Sequence, residues 1–278
     1  MGRLQDKVAL ITGAARGHAE AMARRFAAEG ALLAICDLCP PAELDATTGA
    51  QVREAGGRAL CFQTDVSDER QVNEMVERTL AEYGHIDIVA PVVGIAGPTK
   101  DLWDLSLAEW KQVLAVNLDS IFLCCKAALP SMIERRRGRI IMFSSPTGKQ
   151  PLAHRSSYAT SKMAVIGLTR TLAAEVGRYN ITVNAICPGG HSARDHELAK
   201  AFAEYVGEPF DEDTYINYRP GPKPANKVLC GQWLQAEGFV QDHGTSDDAA
   251  AMAVFIASDE AGSFTGQDVN TPGGYVMW

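Results

Sequence analysis

The sequence predicts a single doubly wound α/β domain built on a parallel sheet of about seven strands. Short apolar runs rich in Val and Ile alternate along the chain with longer stretches of helical periodicity, and the first run leads directly into a glycine-rich turn. Continuous apolar runs that do not alternate with polar residues are typical of strands buried on both faces of a sheet. Regular alternation of such strands with helices places the helices on both faces.

Seven runs are predicted as strands, at residues 8–12, 31–36, 59–63, 86–90, 139–144, 181–186 and 267–270. Helical patterns follow several of them. One ends at Gly30, a second begins at Ser67 as its N-cap and ends at Gly84, and another covers residues 247–258. Right-handed crossovers then bring the carboxyl ends of all strands to one edge, where such folds bind ligands.

Composition limits the classes of partner. The chain has 278 residues, and 26 Lys and Arg against 34 Asp and Glu give a net charge of −8, which argues against nucleic acid or an anionic membrane as the main partner. No apolar run approaches the roughly 20 residues of a membrane helix, and the N-terminus lacks a signal-peptide pattern. Seven cysteines in such a chain are expected to be reduced thiols in a cytoplasmic protein. Cys36 and Cys39 have no second pair to complete a metal site, so no metal is expected.

One region interrupts the alternation. Residues 190–243 contain no clear strand, but hold a predicted helix at 196–206 and a proline-rich basic stretch at 219–227. A segment of this length without a strand in a compact domain is usually a binding loop or a lid. We interpret it as an inserted substrate lid, with an oligomer-contact arm as the alternative.

The glycine-rich turn predicts a nucleotide cofactor. Gly13 and Gly17 allow close approach of the backbone to a pyrophosphate, and the N-terminus of the helix that follows offers free N–H groups. Asp37 lies at the end of the second strand, about 20 residues after the turn, where a carboxylate accepts hydrogen bonds from ribose hydroxyls and repels a 2′-phosphate. This favours NAD over NADP, although Arg16 in the turn is a candidate partner for a 2′-phosphate.

Tyr158 and Lys162 predict acid–base chemistry. Residues four apart share a helix face, and a neighbouring ammonium lowers the pKa of a phenol. A tyrosine activated in this way exchanges a proton with an alcohol or a carbonyl. Ser144 and Ser145 end the fifth predicted strand, and a serine hydroxyl beside the tyrosine would hold the substrate oxygen.

These residues resemble the short-chain dehydrogenase/reductase family over nearly the whole chain. The family pattern T-G-x-x-x-G-x-G is matched at Thr12, Gly13 and Gly17, and its serine, thirteen residues before the tyrosine, falls on Ser145. Its Asp-Val pair falls on Asp65 and Val66, and its Pro-Gly after the sixth strand falls on Pro188 and Gly189. The resemblance implies a Rossmann-type fold.

The resemblance also implies the roles of four catalytic residues. Tyr158 is the base for oxidation and the acid for reduction, Ser145 orients the substrate oxygen, and Lys162 lowers the pKa of the tyrosine and contacts the nicotinamide ribose. Asn117 anchors a water-linked proton relay. With the residue arguments above, the predicted cofactor contacts are Gly13, Arg16, Gly17, His18, Asp37, Asp65, Val66, Gly94, Tyr158, Lys162, Pro188, Gly189 and His191.

Some positions depart from the family pattern. Ala19 replaces the third glycine, and alanine is small enough to be tolerated there. His18 stands at a usually aliphatic position, as a cofactor contact or as a tolerated edge residue. Residues 91–93 replace the family's Asn-Asn-Ala, so asparagine side-chain bonds to the cofactor are lost. Ala193 replaces a carboxamide-binding threonine.

The expected function is NAD-dependent interconversion of a secondary alcohol and a ketone. The alternatives are an NADPH-dependent ketoreductase, which Asp37 disfavours, and a catalytically idle NAD-sensing protein, which the intact tetrad disfavours. The resemblance suggests a homotetramer, or a homodimer. A polar substrate such as a sugar, polyol or hydroxy acid is expected from the polar residues near the site, which are Lys149, Gln150, His154, His191 and Arg194.

Overall fold

A seven-stranded parallel sheet forms the centre of the computed structural model, which describes residues 2–189 and 245–271 together with residues 200 and 204. The strand order is β3-β2-β1-β4-β5-β6-β7, so the direction of winding reverses between β1 and β4. The strands are β1 (Val8–Thr12), β2 (Leu32–Asp37), β3 (Arg58–Gln63), β4 (Ile88–Pro91), β5 (Gly138–Phe143), β6 (Ile181–Pro188) and β7 (Asp268–Thr271). The predicted sheet is confirmed, strand by strand.

Alternate side chains of strands β1 to β6 enter two separate cores, because successive residues of a strand point to opposite faces. In β1, Ala9 and Ile11 enter one core, whereas Val8 and Leu10 enter the other. All four are completely buried. The continuous apolar runs therefore reflect a sheet covered on both faces.

Helices cover both faces. The first core is covered by four helices, α1 (Gly17–Ala28), α2 (Pro41–Leu44), α3 (Ala50–Glu54) and α8 (Ser246–Ala257). A π-helical turn joins α2 to α3. The second is closed by α4 (Glu69–Tyr83), α6 (Ser120–Arg135) and α7 (Ser156–Val176). α5 (Leu107–Leu114) continues into α6 through a π-helical turn at Ala115–Asp119.

The helix ends agree with the sequence signals except at one cap. Gly30 and Gly84 have positive φ, and Gly84 is the left-handed C-cap of α4. The predicted N-cap at Ser67 is wrong. Asp68 caps α4, because its carboxylate accepts from the N–H groups of Arg70 and Gln71, while the Ser67 hydroxyl donates to Asp65.

The helical stretch from Leu107 to Arg135 is long and apolar enough to cross a membrane by length and composition, a test that core helices of globular proteins also pass. Here it packs on the sheet through α6. Within the described residues there is no cluster of three metal-ligating side chains. The predicted helix at 196–206, the stretch at 219–227 and most of the predicted lid at 190–243 lie outside the described residues.

Candidate active site

The glycine-rich turn joins the carboxyl end of β1 to α1 beside the point where the winding reverses. The N–H groups of Gly13 and Ala14 donate to Cys36 O at 2.8 and 3.0 Å. Gly13 has φ +76°, and a Cβ there would come within 3.0 Å of Val93. Gly17 has φ +70° and opens α1 next to the exposed Arg16, with no atom within 4 Å of a Cβ. The turn therefore presents the N-terminus of α1 to an open space that suits a phosphate group.

Asp37 lies next to this turn, as predicted from its position at the end of β2. Its Oδ2 accepts from Ala15 N at 2.9 Å and its Oδ1 accepts from Leu38 N at 2.7 Å. A carboxylate oxygen has room for more than one hydrogen bond, so both remain able to accept from ribose hydroxyls. The structure thus places the predicted ribose acceptor against the predicted phosphate turn.

Asp65 and Val66 follow β3 at the same edge of the sheet. Asp65 Oδ1 accepts from the N–H and the hydroxyl of Ser67 at 2.9 and 2.6 Å, which shapes the loop before α4. Val66 is buried in the second core. The backbone bond from Thr64 N to Asp37 O at 2.9 Å places these predicted cofactor contacts near the end of β2.

Asn117 is completely buried inside the π-helical turn between α5 and α6. Its Oδ1 accepts from Ile95 N at 2.7 Å, and its Nδ2 donates to Ile95 O at 2.9 Å and to Ser161 Oγ at 3.0 Å. Ser161 in turn donates to Tyr158 O at 2.7 Å. This chain of bonds ties the loop after β4 to the helix that carries the tyrosine, and π-helical turns of this kind are frequent at functional sites.

Lys162 is buried beside the end of β5. Its Nζ donates to Phe143 O at 2.8 Å and lies 5.8 Å from the centroid of the Tyr158 ring. A Cβ on Gly94 would come within 3.2 Å of this ammonium and 3.5 Å of Asn117 Oδ1. Gly94 therefore lies close to both Asn117 and Lys162, with little room for a side chain between them.

The serine pair at the end of β5 packs against α7. Ser144 Oγ donates to Lys162 O at 2.7 Å, and Ser145 Oγ accepts from Thr147 N at 3.1 Å. A Cβ on Gly148 would come within 2.8 Å of the Lys162 carbonyl group. Because Gly148 has no side chain, the turn that follows Ser145 packs closely against α7, the helix that carries Tyr158.

Tyr158 lies in the first turn of α7 and is half-buried. Besides Lys162, the guanidinium of Arg155 lies over its ring, with Cζ 5.3 Å from the ring centroid. Two cations are thus within about 6 Å of the same phenol ring, the range in which a cation is attracted to a ring face.

Residues 99–101 of the loop after β4 are fastened to the two residues that precede α7. Arg155 Nη1 donates to Thr99 Oγ1 at 3.1 Å, and Lys100 N donates to His154 O at 3.0 Å. His154 Nδ1 lies 2.9 Å from Asp101 Oδ1. The loop is therefore held at both ends, by Asn117 and by this contact set.

The departures from the family pattern are accommodated. Ala19 is buried in the first core, as expected for a small residue. The N–H of Val92 donates to Thr12 Oγ1 at 3.1 Å, so a backbone bond joins the loop after β4 to the end of β1. The His18 ring lies 5.9 Å from the Phe143 ring.

Not all the predicted polar residues line the site. The side chain of Lys149 is only 8% exposed and its Nζ lies 2.7 Å from Asp268 Oδ2, so it joins the turn after β5 to β7. His154 is engaged by Asp101, and Gln150 has a buried Oε1 that accepts no hydrogen bond from a described residue. Pro188 ends β6 beside Thr271, and Gly189 is buried. His191, Ala193 and Arg194 lie outside the described residues.

The cysteines near this edge are not activated. Cys36 and Cys187 are buried, and burial raises the pKa of each thiol. Cys124 and Cys125 pack in the second core, and burial raises the pKa of Cys125 to about 12. These thiols are protonated near neutrality, so they serve as packing groups and not as nucleophiles.

Sequence reasoning missed four supporting residues, namely Thr99, Asp101, Arg155 and Ser161. The position of Ser161 between Tyr158 and Lys162 was a signal that it faces the same site. Thr99, Asp101 and Arg155 carried no comparable signal, because their contacts join segments more than fifty residues apart.

Comparison with known proteins assigns the family. The family model for short chain dehydrogenase matches residues 7–200. A 3beta-hydroxysteroid dehydrogenase of Mediterraneibacter gnavus is 31% identical, over 100% of this chain and 98% of its own. A (3R)-3-hydroxyacyl-CoA dehydrogenase of Rattus norvegicus is 34% identical, over 99% and 98%. The solved structure of NAD+-bound xylitol dehydrogenase has a TM-score of 0.81 at 28% identity and covers 97% of this chain and 99% of that one.

The chain therefore belongs to the short-chain dehydrogenase family, and it is an oxidoreductase that acts on hydroxyl or ketone substrates. The family uses nicotinamide cofactors.

Proposed function

We propose that this protein uses NAD to interconvert a polar secondary alcohol and the corresponding ketone. The observation that carries the proposal is that Asn117 and Ser144 are both bonded to the helix that carries Tyr158 and Lys162. This helix lies at the same sheet edge as the glycine-rich turn and Asp37.

The chain's own residues would move the proton. In oxidation the Tyr158 phenolate accepts the hydroxyl proton of the alcohol, and in reduction the phenol returns it to the carbonyl oxygen. Ser145 would hold that oxygen by a hydrogen bond. The ammonium of Lys162, 5.8 Å from the ring centroid, favours the phenolate, and Asn117 would support proton transfer from Lys162 to solvent.

The residues at the switch point fit a nicotinamide dinucleotide. A Cβ on Gly13 would meet Val93, whereas Gly17 opens to free space at the start of α1, which leaves a place for phosphates. When bound, the nicotinamide supplies the hydride acceptor for oxidation and the donor for reduction. Asp37 supports NAD over NADP, because its carboxylate is bonded to the phosphate turn itself and would repel a 2′-phosphate.

A polar substrate is supported by Gln150. Its Oε1 is buried without a described partner in the turn that follows Ser145, and an acceptor in that state favours a ligand that donates a hydrogen bond. Lys149 no longer supports this choice, since it is paired with Asp268.

Assembly as a homotetramer or homodimer is supported by α6 and α7. Phe122 on α6 and Met163 on α7 are each about half exposed, at 51% and 50%. Apolar side chains on adjacent helices favour contact with a second copy. A Met163→Glu variant should have a lower mass by light scattering than the wild type, and an unchanged mass would contradict this interface.

The test of the proposed function follows the absorbance of the reduced nicotinamide. Wild-type protein is assayed with NAD and with NADP against polyols, hydroxy acids and a hydroxysteroid. Turnover of a polar alcohol with NAD, abolished in Tyr158→Phe, is expected. Turnover with NADP only would establish the ketoreductase alternative, and NAD binding without turnover of any alcohol would establish the sensor alternative.

A further inference from the structure

Arg155 has no role in the chemistry described above, yet its charge lies over the catalytic ring. Its Cζ is 5.3 Å from the Tyr158 centroid, closer than the Lys162 ammonium at 5.8 Å. The two cations come from different places. Lys162 is one turn further along α7, whereas Arg155 is the residue just before the helix.

The position of the guanidinium is set by the loop after β4. Thr99 Oγ1 accepts from Arg155 Nη1 at 3.1 Å, and the backbone bond from Lys100 N to His154 O holds the same two segments together. Because the loop is also bonded to Asn117 through Ile95, the arginine is placed by the same framework that holds the tetrad.

From this arrangement we propose that Arg155 is a positioning residue for catalysis: it stabilises the phenolate form of Tyr158 as a second cation beside Lys162. A phenolate spreads its negative charge over the ring, so a cation above the ring stabilises it more than it stabilises the neutral phenol. The inference rests on the proposed function, in which Tyr158 is the base.

Among the described residues of the surrounding elements, the other charged groups are engaged with one another or exposed. The engaged pairs are Asp101 with His154, Lys100 with Glu109, and Lys149 with Asp268. The exposed groups are Asp104, Lys111 and Asp119. None of these three pairs includes Arg155, so Arg155→Met leaves them intact.

The experiment measures kcat/KM for alcohol oxidation as a function of pH in Arg155→Met. Oxidation needs the phenolate, so the rate rises with pH through the apparent pKa of the base. Loss of a stabilising cation should move that apparent pKa upward by about 0.5–1.5 pH units, which lowers kcat/KM about 3- to 30-fold on the acid side. Arg155→Lys, which keeps the charge, should restore the wild-type profile to within about 0.3 unit.

The chain offers a matched control in Arg178, whose Cζ lies 4.8 Å from the ring centroid of Tyr179 at the far end of α7. Arg178→Met removes the same type of contact away from the site and should leave the profile unchanged. Thr99→Val keeps the charge but removes its anchor, and it should shift the profile in the same direction by less. This variant tests the inference if Arg155→Met does not fold.

Several outcomes would overturn the inference. They are an unshifted profile in Arg155→Met, a uniform loss at every pH, or a shift that Arg155→Lys does not reverse. A uniform loss would mean that Arg155 binds substrate or supports the fold. Retained activity in Tyr158→Phe would overturn the proposed function itself. Near-ultraviolet titration of tyrosinate, compared between wild type, Arg155→Met and Tyr158→Phe, reports the same shift without turnover.

Discussion

The two edges of the sheet hold charged groups in different ways. At the edge formed by the amino ends of the strands (the amino edge), Asp87 is buried. Its carboxylate accepts from Val8 N at 3.0 Å and from Arg135 Nη1 at 2.9 Å. His85 Nε2 lies 3.0 Å from the same carboxylate. At the carboxyl edge, Lys162 is equally buried but donates to a neutral carbonyl oxygen and stands near a phenol.

Lys7 lies just before β1 at the same amino edge and is likewise paired with a group of opposite charge. It is buried, and its Nζ lies 2.8 Å from Asp259, which also approaches Arg137 at 3.3 Å. Hydrogen bonds from Lys7 and the charges around Asp259 lower the pKa of that carboxyl. Removing one partner of a buried ion pair destabilises the fold because it leaves a buried charge uncompensated, whereas a cation beside a phenol favours the phenolate form. We therefore expect substitutions at Asp87 to affect stability and substitutions at Tyr158 to affect catalysis.

The largest expected effect tests the carboxyl edge. Tyr158→Phe removes the acid–base hydroxyl but keeps the ring beneath Arg155 and Lys162, so kcat should fall by about 10²–10⁴ while the melting temperature changes little. Steady-state kinetics and thermal unfolding on one preparation check both parts. Turnover within a factor of two of wild type would end the assignment of Tyr158.

The next effect tests the amino edge. Asp87→Ala leaves Arg135 and His85 without their carboxylate and Val8 N without its acceptor. The free energy of unfolding should fall by about 2–3 kcal/mol, below the value for a fully buried pair because the Arg135 side chain is 34% exposed. Denaturant titration measures it. Glu82→Ala, which breaks the exposed pair with Arg58, is the control and should cost under about 0.5 kcal/mol.

If the edges have separate roles, Asp87→Ala should keep its kcat at temperatures where it is folded. A loss of kcat comparable to that of Tyr158→Phe would show that the amino edge acts on the chemistry, and the contrast between the edges would then be wrong.

A smaller effect concerns the cofactor side of the carboxyl edge. Wild type should prefer NAD to NADP by at least about tenfold, or roughly 1.4 kcal/mol. Asp37→Ala should reduce this preference, because it removes the charge that repels a 2′-phosphate. The ratio of kcat/KM for the two cofactors measures it. A ratio unchanged by Asp37→Ala would mean that the carboxylate only shapes the turn through Ala15 N.

The smallest effect concerns the loop that positions Arg155. Hydrogen bonds from Lys100 and Ser106 lower the pKa of Glu109 from its ordinary 4.5 to about 2. A folded-state pKa below the unfolded value stabilises the protein above pH 4.5, and this contribution is lost as the pH falls through about 2. Glu109→Gln should therefore be slightly less stable than wild type near neutrality. Thermal unfolding across pH should show the difference shrinking toward acid, and a constant difference would contradict it.

Pattern and spacing predicted most of the fold and the Tyr158–Lys162 pair, whereas Asn117 was implied by the resemblance to the family. The seven strands follow from apolar runs that must be buried on both faces, and the glycine turn follows from the need for positive φ at Gly13 and Gly17. Tyr158, Lys162 and Ser145 were found because helix periodicity and strand ends bring them to one edge. The prediction of Ser67 as the N-cap was wrong because Ser67 and Asp68 are both of residue types that cap helices. In the structure the carboxylate of Asp68 accepts from the helix N–H groups.

The sequence by itself determined the order of the elements, and it predicted the cofactor turn and the Tyr158–Lys162 pair, because each depends on neighbours within one or two helical turns or on a strand end. Only the tertiary structure decided that Lys149 pairs with Asp268, that Asn117 holds Ile95, and that Thr99 places Arg155 over Tyr158. Those contacts join segments far apart in the chain, and the energy of a buried charge or amide depends on which partner the packing brings within hydrogen-bond distance.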